Sequence, residues 1–268
     1  MVLDCGCIEN EEGQKVVFCR DCAMNVEQGG EEWKRTRVGC FTASRASDAF
    51  ARIKSGWGAS RSNYRAELIC ERLSGQPYDG YTNHYMDRGN KVEPEAITAY
   101  ELFVGLEARA TGFWQHPTID MAGGSPDRLV GTDGMIEAKA RTTAIHFDLL
   151  LTHSIPGKFI DQMQFGMGCT EREWCDFVSY DPRTPVGFEL FVKRIWRDDN
   201  RIAELERLAV EFLAEVHAHM KALQEKAAEG FIFTRNRPGN DLMAQLTGSV
   251  RILEKSSVVV PIKRKRAK

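Results

Sequence analysis

No stretch of the chain approaches the roughly 18 consecutive apolar residues that a membrane-spanning helix needs, so no membrane association is expected. Residues 1–25 lack the basic-then-apolar layout of a secretory leader, which points to a cytoplasmic chain. Charge of one sign is lacking too: 36 Lys and Arg against 38 Asp and Glu leave a net charge of −2. A nucleic-acid partner is neither favoured nor excluded by that balance, but it would have to meet a local basic patch. No internal repeat is present. What remains is an ordinary globular composition, 43% hydrophobic and 28% charged. The 268 residues suffice for one large domain or two small ones.

The eight cysteines of a cytoplasmic chain are expected to be thiols or metal ligands rather than disulfides. Cys5, Cys7, Cys19 and Cys22 form two close pairs, C-x-C and C-x-x-C, within residues 1–25. Four thiols so spaced can close a tetrahedral Zn²⁺ site, with residues 15–18 as a strand of a small ribbon. The first pair is one residue tighter than the usual C-x-x-C. The alternative is a tail with incidental thiols, and both readings stand at this point.

Periodicity predicts an α/β chain. A short helix is expected over 31–37 around Trp33, stopped near Gly39. Thr42 or Ser44 caps a second helix reaching about Arg52. Hydroxyls and amides at such a terminus, beside an Arg, suit a phosphate, or they are simply a cap with a surface Arg. Residues 54–62 read as a loop, 62–73 as a helix, 74–83 as turns and 85–103 as a helix carrying Met86, Val92, Ala96, Ile97, Tyr100 and Leu102. Glu93 lies within that helix, before Pro94. A strand over 108–113 follows. His146 and His153, in 141–153, read as ordinary surface or half-buried histidines. A helix over 156–169 carries Gln162 and Gln164, which diverge by about 200°. Strands over 174–180 and 186–195 flank the turn Asp181-Pro182-Arg183. A long amphipathic helix over 198–229 presents Ile202, Leu205, Ala209, Phe212, Val216 and Leu223. Residues 230–268 are irregular and end in Lys263, Arg264, Lys265, Arg266 and Lys268, either a phosphate-holding tail or a solubilising end.

The chain is organised around residues 123–140. They read as two strands joined at Asp133-Gly134, a strong hairpin-turn pair. Glu137 and Lys139 are two apart and share a strand face. If the register sets residue 130 against 134, Asp127 falls opposite Glu137, gathering two carboxylates and an ammonium. Two carboxylates can hold Mg²⁺. The metal lowers the pKa of a bound water and stabilises phosphoryl charge, while Lys139 orients the water or offsets charge. The bland alternative is a solvated hairpin with a cross-strand ion pair.

Pro-Asp, nine residues, then Glu-x-Lys is the PD-(D/E)xK nuclease signature. Further stretches accompany it in order: Glu27-Gln28-Gly29 with Trp33; Arg37-x-Gly39-x-x-Thr42-Ala43-Ser44; Gly89-x-x-x-Glu93; Ser125-Pro126-Asp127; Gln162-x-Gln164; and Tyr180-Asp181-Pro182-Arg183. Together, over about residues 26–228, they resemble the phage lambda exonuclease family (YqaJ-type viral recombinases) of the PD-(D/E)xK superfamily. The resemblance implies a restriction-endonuclease-like core over 26–229, a central mixed β-sheet flanked by helices. Residues 1–25 and 230–268 would be extensions.

The resemblance also implies a Mg²⁺-dependent exonuclease, with Mn²⁺ as a possible substitute, that digests one strand of duplex DNA from its 5′ end. It implies a homotrimeric ring, a single-strand annealing partner, and a phage or prophage origin in a bacterial host. By the same carry-over Asp127, Glu137 and the Ala138 carbonyl ligand the metal, and Lys139 orients the water. Glu93 supports a second metal or its waters, and Gln162 helps hold that region. Arg37, Ser44 and Ser125, with Thr42 beside them, grip the 5′-phosphate. Arg128 stands where the family pattern has Gly and adds positive charge toward DNA. Rival readings are an internally cutting endonuclease of the same fold and a zinc-ribbon DNA-binding protein without nuclease activity.

Overall fold

The computed structural model describes residues 1–9, 13, 15–78 and 84–229. The irregular stretch expected at 230–268, with its basic tail, lies outside the described residues, as do residues 79–83 of the turn-rich stretch 74–83.

The N-terminal segment is a two-stranded hairpin, β1 (Ile8–Glu9) and β2 (Lys15–Val17), followed by the one-turn helix α1 (Arg20–Met24). Helix α2 (Glu31–Thr36) comes next, with Glu31 and Glu32 in its first turn and Lys34 and Arg35 in its last, as the helix dipole prefers. Strand β3 (Phe41–Thr42) then runs into a 3-10 turn, Ala43–Arg45, and the short helix α3 (Ala46–Ala49). The helix expected to reach Arg52 therefore stops early. The expected loop is in part a hairpin, β4 (Arg52–Ile53) and β5 (Gly56–Trp57), whose Trp57 ring stacks under Arg52 and Arg61. Helix α4 (Ala59–Ser74) starts earlier than its apolar residues suggested, and Gly75 in the left-handed region ends it.

Helix α5 (His84–Val104) contains Pro94, which cannot donate to the carbonyl four residues back and so leaves a gap in the ladder beside Glu93. Its inward face is Ala96, Ile97 and Tyr100; Leu102, about 200° around from Tyr100, is exposed. The strand expected over 108–113 is instead two, β6 (Ala108–Arg109) and β7 (Trp114–Gln115), belonging to different sheets. Strands β8 (Ala122–Gly124), β9 (Arg128–Val130) and β10 (Gly134–Lys139) follow, then helices α6 (Thr143–Thr152) and α7 (Gly157–Thr170). Strands β11 (Trp174–Tyr180) and β12 (Leu190–Trp196) precede helix α8 (Asp199–Ala228), capped by the Asp198 carboxylate on the amides of Asn200 and Arg201.

The central sheet has the order β12-β11-β10-β9-β6 and is mixed: β10 and β11 are parallel, the other pairs antiparallel. The parallel pair requires a crossover, which α6 and α7 supply. Period-2 alternation then sorts the side chains. Ile136 and Val178 meet Ile97 and Tyr100 of α5 on one face. Met135 and Phe177 meet Phe159, Met163 and Met167 of α7 on the other. A second sheet, β3-β8-β7, lies against a cluster of Phe41, Tyr64, Phe165, Leu205 and Phe212, which joins α4, α7 and α8. Buried Arg61 pins α4 to Glu215 of α8 at 2.7 Å. The amphipathic stripe of α8 is buried through Val216, while Leu223, beyond the body it packs on, is exposed. The architecture is the mixed sheet flanked by helices that the sequence implied.

Candidate active site

The β9–β10 hairpin has the expected register, Val130 against Gly134, Leu129 against Met135 and Arg128 against Ile136. The turn differs. It occupies residues 131–133, and the glycine with positive φ is Gly131 (+54°), not Gly134. Gly134 already belongs to β10, where a Cβ would overlap the indole of Trp174 on the neighbouring strand. Nor are Asp127 and Glu137 a ladder pair. The ladder ends at Arg128, the Asp127 amide donates to the Ile136 carbonyl at 3.1 Å, and the Asp127 carboxylate accepts from the Ala138 amide at 2.6 Å. This swings the Asp127 side chain alongside β10, beside Glu137. Glu137 pairs with Lys139 and accepts from Gln162 Nε2 of α7 at 2.6 Å.

Glu137 is 3% exposed. Burial raises its pKa to about 7, against the pull of Lys139 and with a further push from Asp127. Burial also raises the Asp127 carboxyl, opposed by Lys139. The Glu93 carboxyl rises through burial and the charge of Asp127. For Lys139, burial lowers the pKa, but the two carboxylates outweigh it and raise it. Three carboxyls, Asp127, Glu137 and Glu93, thus face one ammonium, Lys139, and one guanidinium, Arg128, which leaves the cluster short of positive charge. Its donors are hard oxygens, which fits a hard divalent cation such as Mg²⁺.

Glu93 comes from α5, on the opposite face of the sheet. The register puts Arg128 on that face too, and its guanidinium pairs with Glu93 at 3.0 Å. Arg128, expected to add charge toward DNA, is engaged inside the site. No spacing rule joins residues 35 apart, so the pairing was invisible in the sequence.

The predicted phosphate grip lies in the same pocket. Arg37 stacks 4.4 Å over the Trp33 ring and, among the described residues, makes no ion pair. Trp33 Nε1 donates to Ser125 Oγ at 3.2 Å. Thr42 and Ser44 cap nothing with their side chains; their hydroxyls lie 3.4 Å apart, while the Thr42 amide donates to the buried Tyr64 hydroxyl at 3.0 Å. The pocket, about 160 Å³, is lined by Arg37, Thr42, Ser44 and Ser125 together with Asp127, Glu137, Lys139 and Gln162. Glu93 and Ala138 stand beside it. Gln28, which the sequence placed in a matching stretch without a role, also lines it: its amide donates to the carbonyls of Thr111 (2.9 Å) and Pro126 (2.7 Å), tying the entry segment to the loop that presents Asp127.

Gln164 diverges from Gln162 as its spacing predicted, bonding the Trp196 carbonyl and the Asp198 amide at the start of α8. His146 is fully buried rather than half-buried, between Ser179 Oγ (2.8 Å) and the Phe188 carbonyl (2.7 Å). His153 ends α6 in the left-handed region. Cys5, Cys7, Cys19 and Cys22 are brought together, away from this pocket.

None of the curated proteins matches. The alkaline exonuclease LHK-Exo from Laribacter hongkongensis is 44% identical over 75% of this chain and 99% of its own, with a TM-score of 0.70; its complex with dAMP superposes equally well. A phage-related exonuclease from Haemophilus somnus 129PT, 16% identical over 69% of this chain and 96% of its own, shares the fold at a TM-score of 0.56. Residues 32–173 match the YqaJ-like viral recombinase domain, a span that holds every residue of the pocket but Gln28, and the chain belongs to that family.

Proposed function

We propose that this chain is a Mg²⁺-dependent 5′-to-3′ exonuclease acting on double-stranded DNA ends. The observation that carries the reading is the union, in one pocket, of an Arg that makes no ion pair among the described residues and hydroxyls with the buried Glu137 carboxylate, the half-buried Asp127 carboxylate and a lysine. The first set suits a terminal phosphate, which carries more charge than an internal diester and matches an Arg fork. The second suits hydrolysis of the next phosphodiester. A relative 44% identical is described as an exonuclease and has been crystallised with dAMP, a phosphate-bearing mononucleotide.

In this reading Asp127 and Glu137, with the Ala138 carbonyl, hold the metal, which when bound acidifies water and stabilises phosphoryl charge. Gln162 keeps the Glu137 carboxylate oriented. Lys139 positions the attacking water and carries positive charge to the scissile phosphate. Arg128 sets Glu93 at the edge of the cluster, where it supports a second metal or its waters. Arg37, Ser44, Ser125 and Thr42 fix the strand end, which is a positioning contribution to catalysis. The product strand with a free 3′ end would serve a single-strand annealing partner, and the family resemblance supports a homotrimeric ring and a phage-type setting.

The test is digestion of linear duplex DNA in Mg²⁺, comparing 5′-phosphate with 5′-hydroxyl ends, with a closed circle as control. Loss of the 5′-phosphorylated strand with an intact circle is expected. Cutting of the circle would replace this reading with an endonuclease, and inactivity on both substrates in Mg²⁺ and Mn²⁺ would remove the nuclease reading.

A further inference from the structure

The N-terminal segment holds a second cluster that the nuclease chemistry leaves unused. Cys5 and Cys7 precede the β1–β2 hairpin, and Cys19 and Cys22 follow it. Gly6, with φ +88°, turns the chain between the first two so that both thiols reach the cluster. All four Sγ atoms lie within 4.8 Å of one another, and Cys5 and Cys22 are 3.8 Å apart. A disulfide would draw two sulfurs to about 2.0 Å. A tetrahedron of thiolates around Zn²⁺, with Zn–S near 2.3 Å, has edges of about 3.8 Å. The backbone already serves the sulfurs: the Cys19 amide points at Cys7 Sγ (3.2 Å) and the Cys22 amide at Cys19 Sγ (3.4 Å). Amides so placed stabilise thiolate charge around a metal. Four soft donors with no oxygen ligand select Zn²⁺ over the hard cation suited to the other site.

The cluster is not a free tail. Cys7, Phe18, Ala23 and Phe113 are buried together, with Trp33 packed against them. The carbonyls of Ala23 and Met24 accept from the amides of Phe113 (3.0 Å) and Gly112 (2.6 Å), and Gln115 Nε2 donates to the Phe18 carbonyl at 2.9 Å. Trp33 in turn holds Ser125 and stacks under Arg37.

We propose that Cys5, Cys7, Cys19 and Cys22 bind one Zn²⁺ as a structural four-thiolate knuckle, and that this knuckle braces Trp33 and helix α2 at the wall of the pocket. Loading exchanges the thiol protons for the metal and consumes no oxidant. The metal site stands on its own; only the description of that wall as a phosphate grip rests on the proposed function.

The test uses the full chain and no DNA, so its failure is distinct from failure of the nuclease reading. Elemental analysis should give about one zinc per chain, falling to below about one-fifth in Cys5→Ser, whose side chain is exposed and least involved in packing. As a control against misfolding of that variant, mercurial titration of the wild type should release zinc in step with thiol modification. Less than about half a zinc per chain, an equivalent of iron instead, or zinc retained in both Cys5→Ser and Cys22→Ser would overturn the site. Amide hydrogen exchange reads the bracing: α2 should exchange about tenfold faster or more once zinc is removed, while the β10–β11 amides stay unchanged. Unchanged α2 protection in the zinc-free protein would overturn the bracing.

Discussion

At the residue scale the site depends on charges held where water alone would not hold them. Lys139→Ala removes the ammonium facing the buried Glu137 and half-buried Asp127 carboxylates, and cleavage should fall by about 10²-fold or more while DNA binding persists. A variant that digests at the normal rate would end the assigned role. Arg37→Ala should slow digestion of 5′-phosphorylated ends by about 10- to 100-fold, in line with loss of one charge-assisted contact, and leave 5′-hydroxyl ends nearly unaffected. An equal loss on both ends would make Arg37 a general DNA contact. The sign of the pH dependence follows from Glu137. With its pKa raised to about 7 in the metal-free protein, the carboxyl keeps a proton below that pH which the metal must displace. Apparent Mg²⁺ affinity, measured by titration calorimetry at several pH values, should therefore weaken as pH falls through 7, by up to about tenfold per unit. Affinity that is flat between pH 6 and 8 would refute the coupling.

At the element scale, each secondary structure delivers one part of the pocket. Strand β10 puts Glu137 and Lys139 on one face by period 2, and this was readable from three consecutive positions. Helix α7 adds Gln162, and its divergence from Gln164 was likewise readable from 3.6 residues per turn. The hairpin turn was not. Two glycines, Gly131 and Gly134, flank Asp133, and local propensity selects the Asp-Gly pair; the close approach of Trp174 from β11, forty residues on, makes Gly134 a packing requirement instead. Gly134→Ala should therefore destabilise the fold by about 1–3 kcal/mol through overpacking, seen as a lowered Tm, although alanine suits a strand backbone there. A Tm equal to wild type would mean that Trp174 yields at no cost. Helix α3 ends at Ala49, short of the expected Arg52, because Arg52 and Ile53 pair instead with Trp57 and Gly56 in the β4–β5 hairpin.

At the scale of the whole molecule, α8 is the strut against which α4, α7 and the sheet that presents β3 and β8 assemble. Phe212 is fully buried, stacked on Tyr64 (5.4 Å) and edge-on to Phe41 (6.1 Å), the residue before Thr42. Phe212→Ala should cost about 3–5 kcal/mol of stability, measured by denaturant unfolding. A loss under about 1 kcal/mol would show that this cluster is not what holds the pocket's wall. Stabilisation and function meet here, since the chain that carries Thr42 and Ser44 is placed by packing far from the reacting atoms.

The sequence by itself determined the strand carrying Glu137 and Lys139, the helices with strong amphipathic stripes, the thiol pairs, and, through ordered motifs, the family. These are local or periodic properties, and backbone geometry converts them directly into faces and elements. Only the tertiary structure decided that Arg37 and Ser125 share a wall through Trp33, and that Arg128 turns inward to Glu93. It also decided that Asp176 is a buried anchor between Tyr100 and Arg194. These partners are far apart in the chain. Their meeting is set by strand order, register and the volume of the side chains between them, and no spacing within the chain records those quantities.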